Sequence, residues 1–426
     1  MTSAHSEAGT GERAARGPAL ALAVLAASAA LVLVLALTRG EPAPPDESAP
    51  SAMGAVTVPP VPDEMTDELP PSWEQPRARP SAEGVWGPDV AEPFDTLWRI
   101  STSMEFFAAP ALLGGRLYFG GNDGVFRAVD AESGTELWSH ATACGLSGEA
   151  AAEPGAVYFG GQDGYFYALD SDDGSRLWSA GLGFHLFSGA GLLGDSLVIA
   201  GNSDGSVAAL SRQDGTVVWH DRPGGLILGP AITDTVAVFT SEDGTVCAYG
   251  VSGRRLWLRD FPGLASPPSA ACGSVFVAFS DGSVRRLDIR DGESQWEVDL
   301  VPGQSRCAMS RPVVSGDRVV LGTCDSRVVC LSAGDGSELW QAVLENWVQV
   351  PPAVGDSTVY AACDDKRLHV LSLEDGSALD SLELGGYAGS APLLVNGTLY
   401  LGTAAGEFFA FRGTPRADAE NSLQGR

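Results

Sequence analysis

Five histidines, seven cysteines and one acidic turn are the side chains in this chain best able to do chemistry. Histidine and cysteine bind transition metals when several sit at ligand spacing, as in H-x-x-x-H. His5, His140, His185, His220 and His369 stand far apart and show no such pairing. Cys144, Cys247, Cys272, Cys307, Cys324, Cys330 and Cys363 are odd in number and include no C-x-x-C-H haem signature. In an exported protein at least one thiol then stays unpaired. Cys307, Cys324 and Cys363 fall in loops at one end of the repeat described below, which leaves a disulfide among them open as the minority reading, with Cys324 its first candidate. The acidic turn "DSDDGS", Asp170 to Ser175, has Gly174 where an EF-hand loop needs its third ligand, so it reads as a turn. No metal, cofactor or catalytic residue is assigned, which leaves binding as the better class.

These residues sit in a repeated unit. "LYFGGNDGVFRAVDAESGTELW", Leu117 to Trp138, returns as "VYFGGQDGYFYALDSDDGSRLW", Val157 to Trp178. Trp219, Trp257, Trp296 and Trp340 close further copies, each with a glycine four residues earlier. Asp380 replaces the tryptophan of the next copy, and "GTLYLGTAAGEFFAFRG" ends at Gly413 without one. Trp98 in "FDTLWRIS" supplies the missing outer element. Within a unit, alternating apolar residues predict strands, and Asp-Gly pairs predict tight hairpins in which glycine supplies a positive φ. A single four-stranded sheet of about forty residues cannot bury both faces, but units stacked around a ring can. The expected fold is all-β: an eight-bladed β-propeller with four-stranded blades, closed by an N-terminal strand that removes the open edge. The aspartates then tie turns and the tryptophans wedge between blades.

This motif closely resembles the PQQ-like (pyrroloquinoline-quinone) repeat over Phe94 to Gly413. The resemblance implies the propeller fold but no single function, because that family contains quinoprotein dehydrogenases and BamB-like outer-membrane assembly propellers. The dehydrogenases are usually longer, and many carry a vicinal Cys-Cys disulfide over the quinone. This chain has neither adjacent cysteines nor a long insertion, so quinone-dependent catalysis is not expected. A non-catalytic, BamB-like scaffold binding envelope proteins comes first. A propeller that holds a quinone or another small ligand in its funnel is the alternative.

A partner should meet the loops that lead into each inner strand. Seven residues after each blade tryptophan stand Glu105, Gly145, His185, Leu226, Leu264, Gly303, Trp347 and, after Asp380, Tyr387. With the neighbouring Phe106, Phe107 and Phe187, and with Arg306 and Arg311 as polar anchors at the rim, these form the candidate funnel mouth. Large apolar groups in otherwise polar loops mark an interaction site unless they fold inward and plug the channel.

The remaining composition places the ring. A formal charge of −28 excludes nucleic acid as a partner. Residues 1–17 read as a short cytoplasmic tail and 18–38 as a single transmembrane anchor, because Pro18 to Leu37 is uncharged and would span roughly 28 Å as a helix. A cleaved signal peptide is the competing reading. Residues 39–93 read as a Pro-rich acidic linker, whose Trp73 and Trp86 either dock its last part onto the head or stand as isolated aromatics. Residues 94–413 form the propeller and 414–426 a flexible tail. The head is expected to be monomeric and extracytoplasmic.

Overall fold

A computed structural model describes residues 85–86, 89–303 and 309–415. The expected anchor, the linker up to residue 84, the tail beyond residue 415, and both Arg306 and Cys307 lie outside the described residues. Among the described residues no helix is long and apolar enough to cross a membrane.

Eight separate sheets follow one another along the chain, seven of four strands and one of five. Blade 1 shows the pattern: an inner strand Ala111–Leu113, then Arg116–Gly120, Val125–Asp130 and an outer strand Glu136–Ala141, all antiparallel neighbours. Blades 2 to 7 repeat it over residues 151–181, 191–221, 227–260, 269–299, 313–343 and 353–383. The second and third strands of each blade are nearly all buried, because both faces of the sheet are covered by neighbours. The core accordingly resolves into eight hydrophobic clusters, each filling the seam between two consecutive blades, including the seam between the last and the first. Stacked rings hold two of these seams, Phe126 on Phe159 at 3.9 Å and Phe119 on Phe408 at 4.2 Å.

Blade 8 is built from both ends of the described chain. Its inner three strands are Leu393–Val395, Thr398–Gly402 and Glu407–Pro415. Strand β2 (Val90–Ser101) pairs antiparallel with Glu407–Pro415 and closes the ring, as the position of Trp98 predicts. The sheet has a fifth member, β1 (Val85–Trp86), which pairs in parallel with Leu393–Val395 on the inner edge. Trp86 thus does dock through its backbone, and strand structure begins earlier than Phe94. Between the two strands the buried Asp89 accepts hydrogen bonds from the Ser357 amide and hydroxyl at 2.6 and 2.7 Å, while Tyr360 Oη bonds both backbone groups of Val90. A proline-rich composition did not reveal that these few residues carry their own anchoring partners in blades 7 and 8.

The repeated tryptophan and glycine form one device. Each indole Nε1 donates to a carbonyl in the following blade: Trp98 to Ala131, Trp138 to Ser171, Trp178 to Arg212, Trp219 to Val251, Trp257 to Ile289, Trp296 to Ala333 and Trp340 to Leu373, at 2.7–3.2 Å. The indole then lies on the glycine of that same turn; at Gly376, for example, φ is +73° and a Cβ would come within 2.5 Å of Trp340. Both the acceptor and the glycine belong to the turn joining a third strand to an outer strand. Blade 8 has no such turn, since its outer strand comes from the other end of the chain. That explains why the copy preceding it carries Asp380 instead of tryptophan.

Candidate functional site

The loops that enter each inner strand share one end of the ring with the middle hairpins, as expected. The carbonyls of Glu105, Gly145, His185, Leu226, Leu264, Trp347 and Tyr387 each accept a backbone N–H from the next hairpin, from Asn122, Gln162, Ser203, Glu242, Ser280, Asp364 and Ala404 respectively. The predicted mouth positions are therefore structurally equivalent and latched. Their side chains differ in exposure: Tyr387 is 50% and Leu264 57% exposed, while Glu105, His185, Leu226 and Trp347 are half-buried, as are Phe107 and Phe187. His185 is tied down through Nδ1 to the Gln162 carbonyl, with Phe187 5.7 Å from its ring.

Phe106 does not belong to the mouth. It is fully buried in the seam between blades 8 and 1, 5.6 Å from Phe408 and 5.7 Å from Phe119. Like Phe106, the residues after four other mouth positions, Leu146, Leu186, Ile227 and Val348, are buried seam wedges. Each wedge approaches a glycine closing the second strand of a neighbouring blade; a Cβ on Gly402 would stand 2.6 Å from that of Phe106. The paired glycines of "YFGG" carried that signal in the sequence.

The channel behind the mouth is crossed by an ion pair. Glu149 and Arg311 stand just before the inner strands of blades 2 and 6, which are four apart in a ring of eight and so face each other. Their carboxylate and guanidinium meet at 3.5 Å. Arg311 is therefore turned into the channel, with its side chain only 11% exposed, and is not a rim anchor. Its Nε is buried without a hydrogen-bond partner.

Three groups converge in blade 7. The hairpin at Asp364–Lys366 lies between the Trp347 loop, which it latches, and the Tyr387 loop, where Lys366 Nζ sits 5.3 Å from the centre of the tyrosine ring. Lys366 is the only lysine in the chain. It holds a φ of +70° where the hairpins of blades 1 to 5 have glycine. Asp364 accepts a hydrogen bond from Gln349, yet burial raises its carboxyl above the ordinary range. Trp347, Lys366, Tyr387 and the exposed Met104 thus occupy consecutive stations of one rim arc, and Gly389 packs directly against the Phe106 carbonyl to join the last two loops.

The acidic turn and most of the cysteines resolve as structure. In "DSDDGS", Asp170 accepts the Asp172 amide and Asp173 the Ser175 amide, so this is a turn. Cys324 is disulfide-bonded. Cys247, Cys330 and Cys363 are buried, and burial pushes their thiols up to about 12, 11 and 12. Gly201 to Gly205 spells Gly-x-Ser-x-Gly, the pattern of a hydrolase nucleophile turn, which sequence reasoning passed over. Here it is the middle hairpin of blade 3, joining two strands with no helix following, so the strand-to-helix geometry of such a nucleophile is missing.

Solved structures with this architecture include BamB from Moraxella catarrhalis (TM-score 0.63, 17% identity, covering 75% of this chain and 99% of that one). A quinohemoprotein alcohol dehydrogenase from Comamonas testosteroni shares the fold as well (TM-score 0.61, 13% identity, 76% and 77% covered). Among curated proteins, the outer membrane protein assembly factor BamB of Pseudomonas aeruginosa is 31% identical over 41% of this chain and 48% of its own length. That of Shewanella oneidensis is 26% identical over 46% of this chain and 53% of its own length, so the chain spans about half the length of the curated relatives it matches. A family model described as outer membrane protein assembly factor BamB matches residues 92–186 and 203–411, well over half of the chain, and the protein belongs to that family.

Proposed function

We propose that this protein is a non-catalytic scaffold of the cell envelope whose propeller binds a component of outer-membrane protein assembly through its loop face. The observation that carries this reading is the rim arc of blades 6 to 8, where Trp347, Lys366, Tyr387 and Met104 stand in consecutive latched loops. An exposed tyrosine, a half-buried tryptophan and an exposed methionine on a rigid frame are residue types enriched at protein-binding surfaces. Family membership supports the same direction. The alternative, a quinone or other ligand seated in the funnel, fits less well with a channel crossed by Glu149 and Arg311. The N-terminal anchor and extracytoplasmic placement belong to the proposal.

The lone lysine makes the test direct. An amine-reactive, photoactivatable cross-linker attached to the full-length chain labels Lys366 and the N-terminal amine, and peptide mapping separates the two. Irradiation in an envelope extract should yield a Lys366-linked outer-membrane assembly protein, lost when Trp347→Ala and Tyr387→Ala are combined. No Lys366-linked product, or equal yield from the variant, would sink the scaffold reading.

A further inference from the structure

We infer that the middle hairpin of blade 7 is a transition-metal site of zinc type, formed by Cys363, Asp365 and His369. One ligand atom from each residue lies within 4.8 Å of the other two, and His369 Nε2 is 2.7 Å from Asp365 Oδ2. The donor set is a sulfur, an oxygen and an imidazole nitrogen, the combination that favours a borderline-soft ion over calcium or magnesium. It is not a surface acidic cluster, since Cys363 is fully buried and the Asp365 and His369 side chains are only 7% and 15% exposed.

Comparison with the sister blades shows what is unusual. The hairpin aspartate recurs as Asp123, Asp163, Asp204, Asp243, Asp281 and Asp325, and in five of these six hairpins one side chain, two positions before it or four after it, is aimed at it as a hydrogen-bond donor. The residue four positions on is Arg127, Tyr167 or Arg285, each directed at the aspartate. The residue two positions earlier is a hydroxyl in Ser241 and Thr323, each donating to its aspartate. Blade 7 fills the two positions with Cys363 and His369, which can each offer an electron pair to a metal. Its arginine, Arg367, turns away to Glu383 and Ser381, so no cation competes for the same carboxylate oxygen.

For the His–Asp pair the adjustment is small. Tetrahedral coordination with Zn–N and Zn–O near 2.0–2.1 Å sets those two atoms about 3.3 Å apart, so the His–Asp hydrogen bond opens by roughly half an ångström. Cys363 Sγ now donates to the Asn346 carbonyl at 3.2 Å and would release its proton to solvent on coordination. Three protein ligands leave the fourth position to water. The same hairpin latches the Trp347 loop and carries Lys366 against Tyr387, so an ion here would stiffen the rim arc from beneath.

The test is a cobalt(II) titration of the full-length chain, purified with a histidine-free tag and freed of thiol reductant so that the Cys324 disulfide stays closed. One equivalent of Co²⁺ should produce a thiolate-to-cobalt charge-transfer band, and Zn²⁺ should abolish it. Cys363→Ser should lose the band completely and His369→Gln should weaken binding at least tenfold, with circular dichroism showing both folded. The double variant Cys144→Ser, Cys272→Ser, which removes the exposed thiols, should keep it. No band in the folded wild-type protein, or a band that survives Cys363→Ser or disappears with the exposed cysteines, would overturn the assignment. That outcome is independent of whether Lys366 cross-links to a partner.

Discussion

Two glycines of blade 5 allow the tryptophan latch to be weighed. Gly273 and Gly292 have nearly the same backbone angle, φ +71° and +72°. Alanine at either site meets the same left-handed penalty, about 1–2 kcal/mol. Their surroundings differ completely. A Cβ on Gly273 would meet nothing within 4 Å, whereas one on Gly292 would stand 2.6 Å from Trp257 Cε3 and 2.7 Å from Cδ2. Trp257 cannot retreat freely, because its Nε1 is bonded to the Ile289 carbonyl at 2.7 Å and the residue is 5% exposed. Overpacking a site of this kind adds about 1–3 kcal/mol. Gly292→Ala is therefore expected to destabilise the protein by that much more than Gly273→Ala, read as midpoint shifts in guanidinium unfolding followed by tryptophan fluorescence and circular dichroism. In a Trp257→Leu background the excess should shrink by about 1 kcal/mol or more. Equal losses for the two alanines, or an excess untouched by Trp257→Leu, would refute the idea that the glycine is required by the indole of the preceding blade.

Other expectations follow from the same structure. Trp178→Phe removes the bond to the Arg212 carbonyl and should cost about 1–3 kcal/mol, measured by the same unfolding midpoint. Glu149→Ala leaves Arg311 buried in the channel without its carboxylate and should cost about 1–3 kcal/mol, with Arg311→Met in the same chain recovering part of it. Asp380→Trp should bring no gain in Tm, since blade 8 lacks the turn that receives an indole; a rise would contradict that account. The turn aspartates Asp130, Asp214 and Asp375 are held below the ordinary carboxylate range by hydrogen bonds from Ser133, Thr216 and Ser377. A depressed folded-state pKa means stability present above the ordinary aspartate pKa and lost as pH falls through the lowered one, so unfolding midpoints should be flat from neutral pH to about 5 and fall in acid.

Periodicity made the ring legible before any coordinates. Blade number, hairpin positions, the closing role of Trp98 and the equivalence of the mouth loops all follow from features repeating within forty residues, where local turn chemistry and strand alternation govern. What stayed hidden depends on contacts between units. The sequence could place Trp257 at a seam but not show that its indole reaches a carbonyl 32 residues on. Phe106 looked like its neighbour Phe107, although adjacent residues in an extended segment face opposite ways and only one can wedge into the seam. Glu149 and Arg311, 162 positions apart, become partners only because the ring sets blades 2 and 6 opposite each other. Cys363, Asp365 and His369 are close in sequence, but only the folded hairpin brings sulfur, carboxylate and imidazole to one point.

Closure by β2 also sets a timetable for biogenesis. Ser101 and its partner Glu407 are 306 residues apart, so β2 leaves the ribosome long before the strand it must pair with exists. At about 5–20 residues per second, that wait lasts roughly 15–60 s. During it, seven blades can assemble in order while the first and last seams stay open, with Phe119 uncovered and β2 presenting a bare edge. Two nascent chains held close together could satisfy that edge by exchange, each lending its β2 to the other's final blade. The same strand that makes a finished ring self-contained is thus the one through which crowded, half-made rings would entangle.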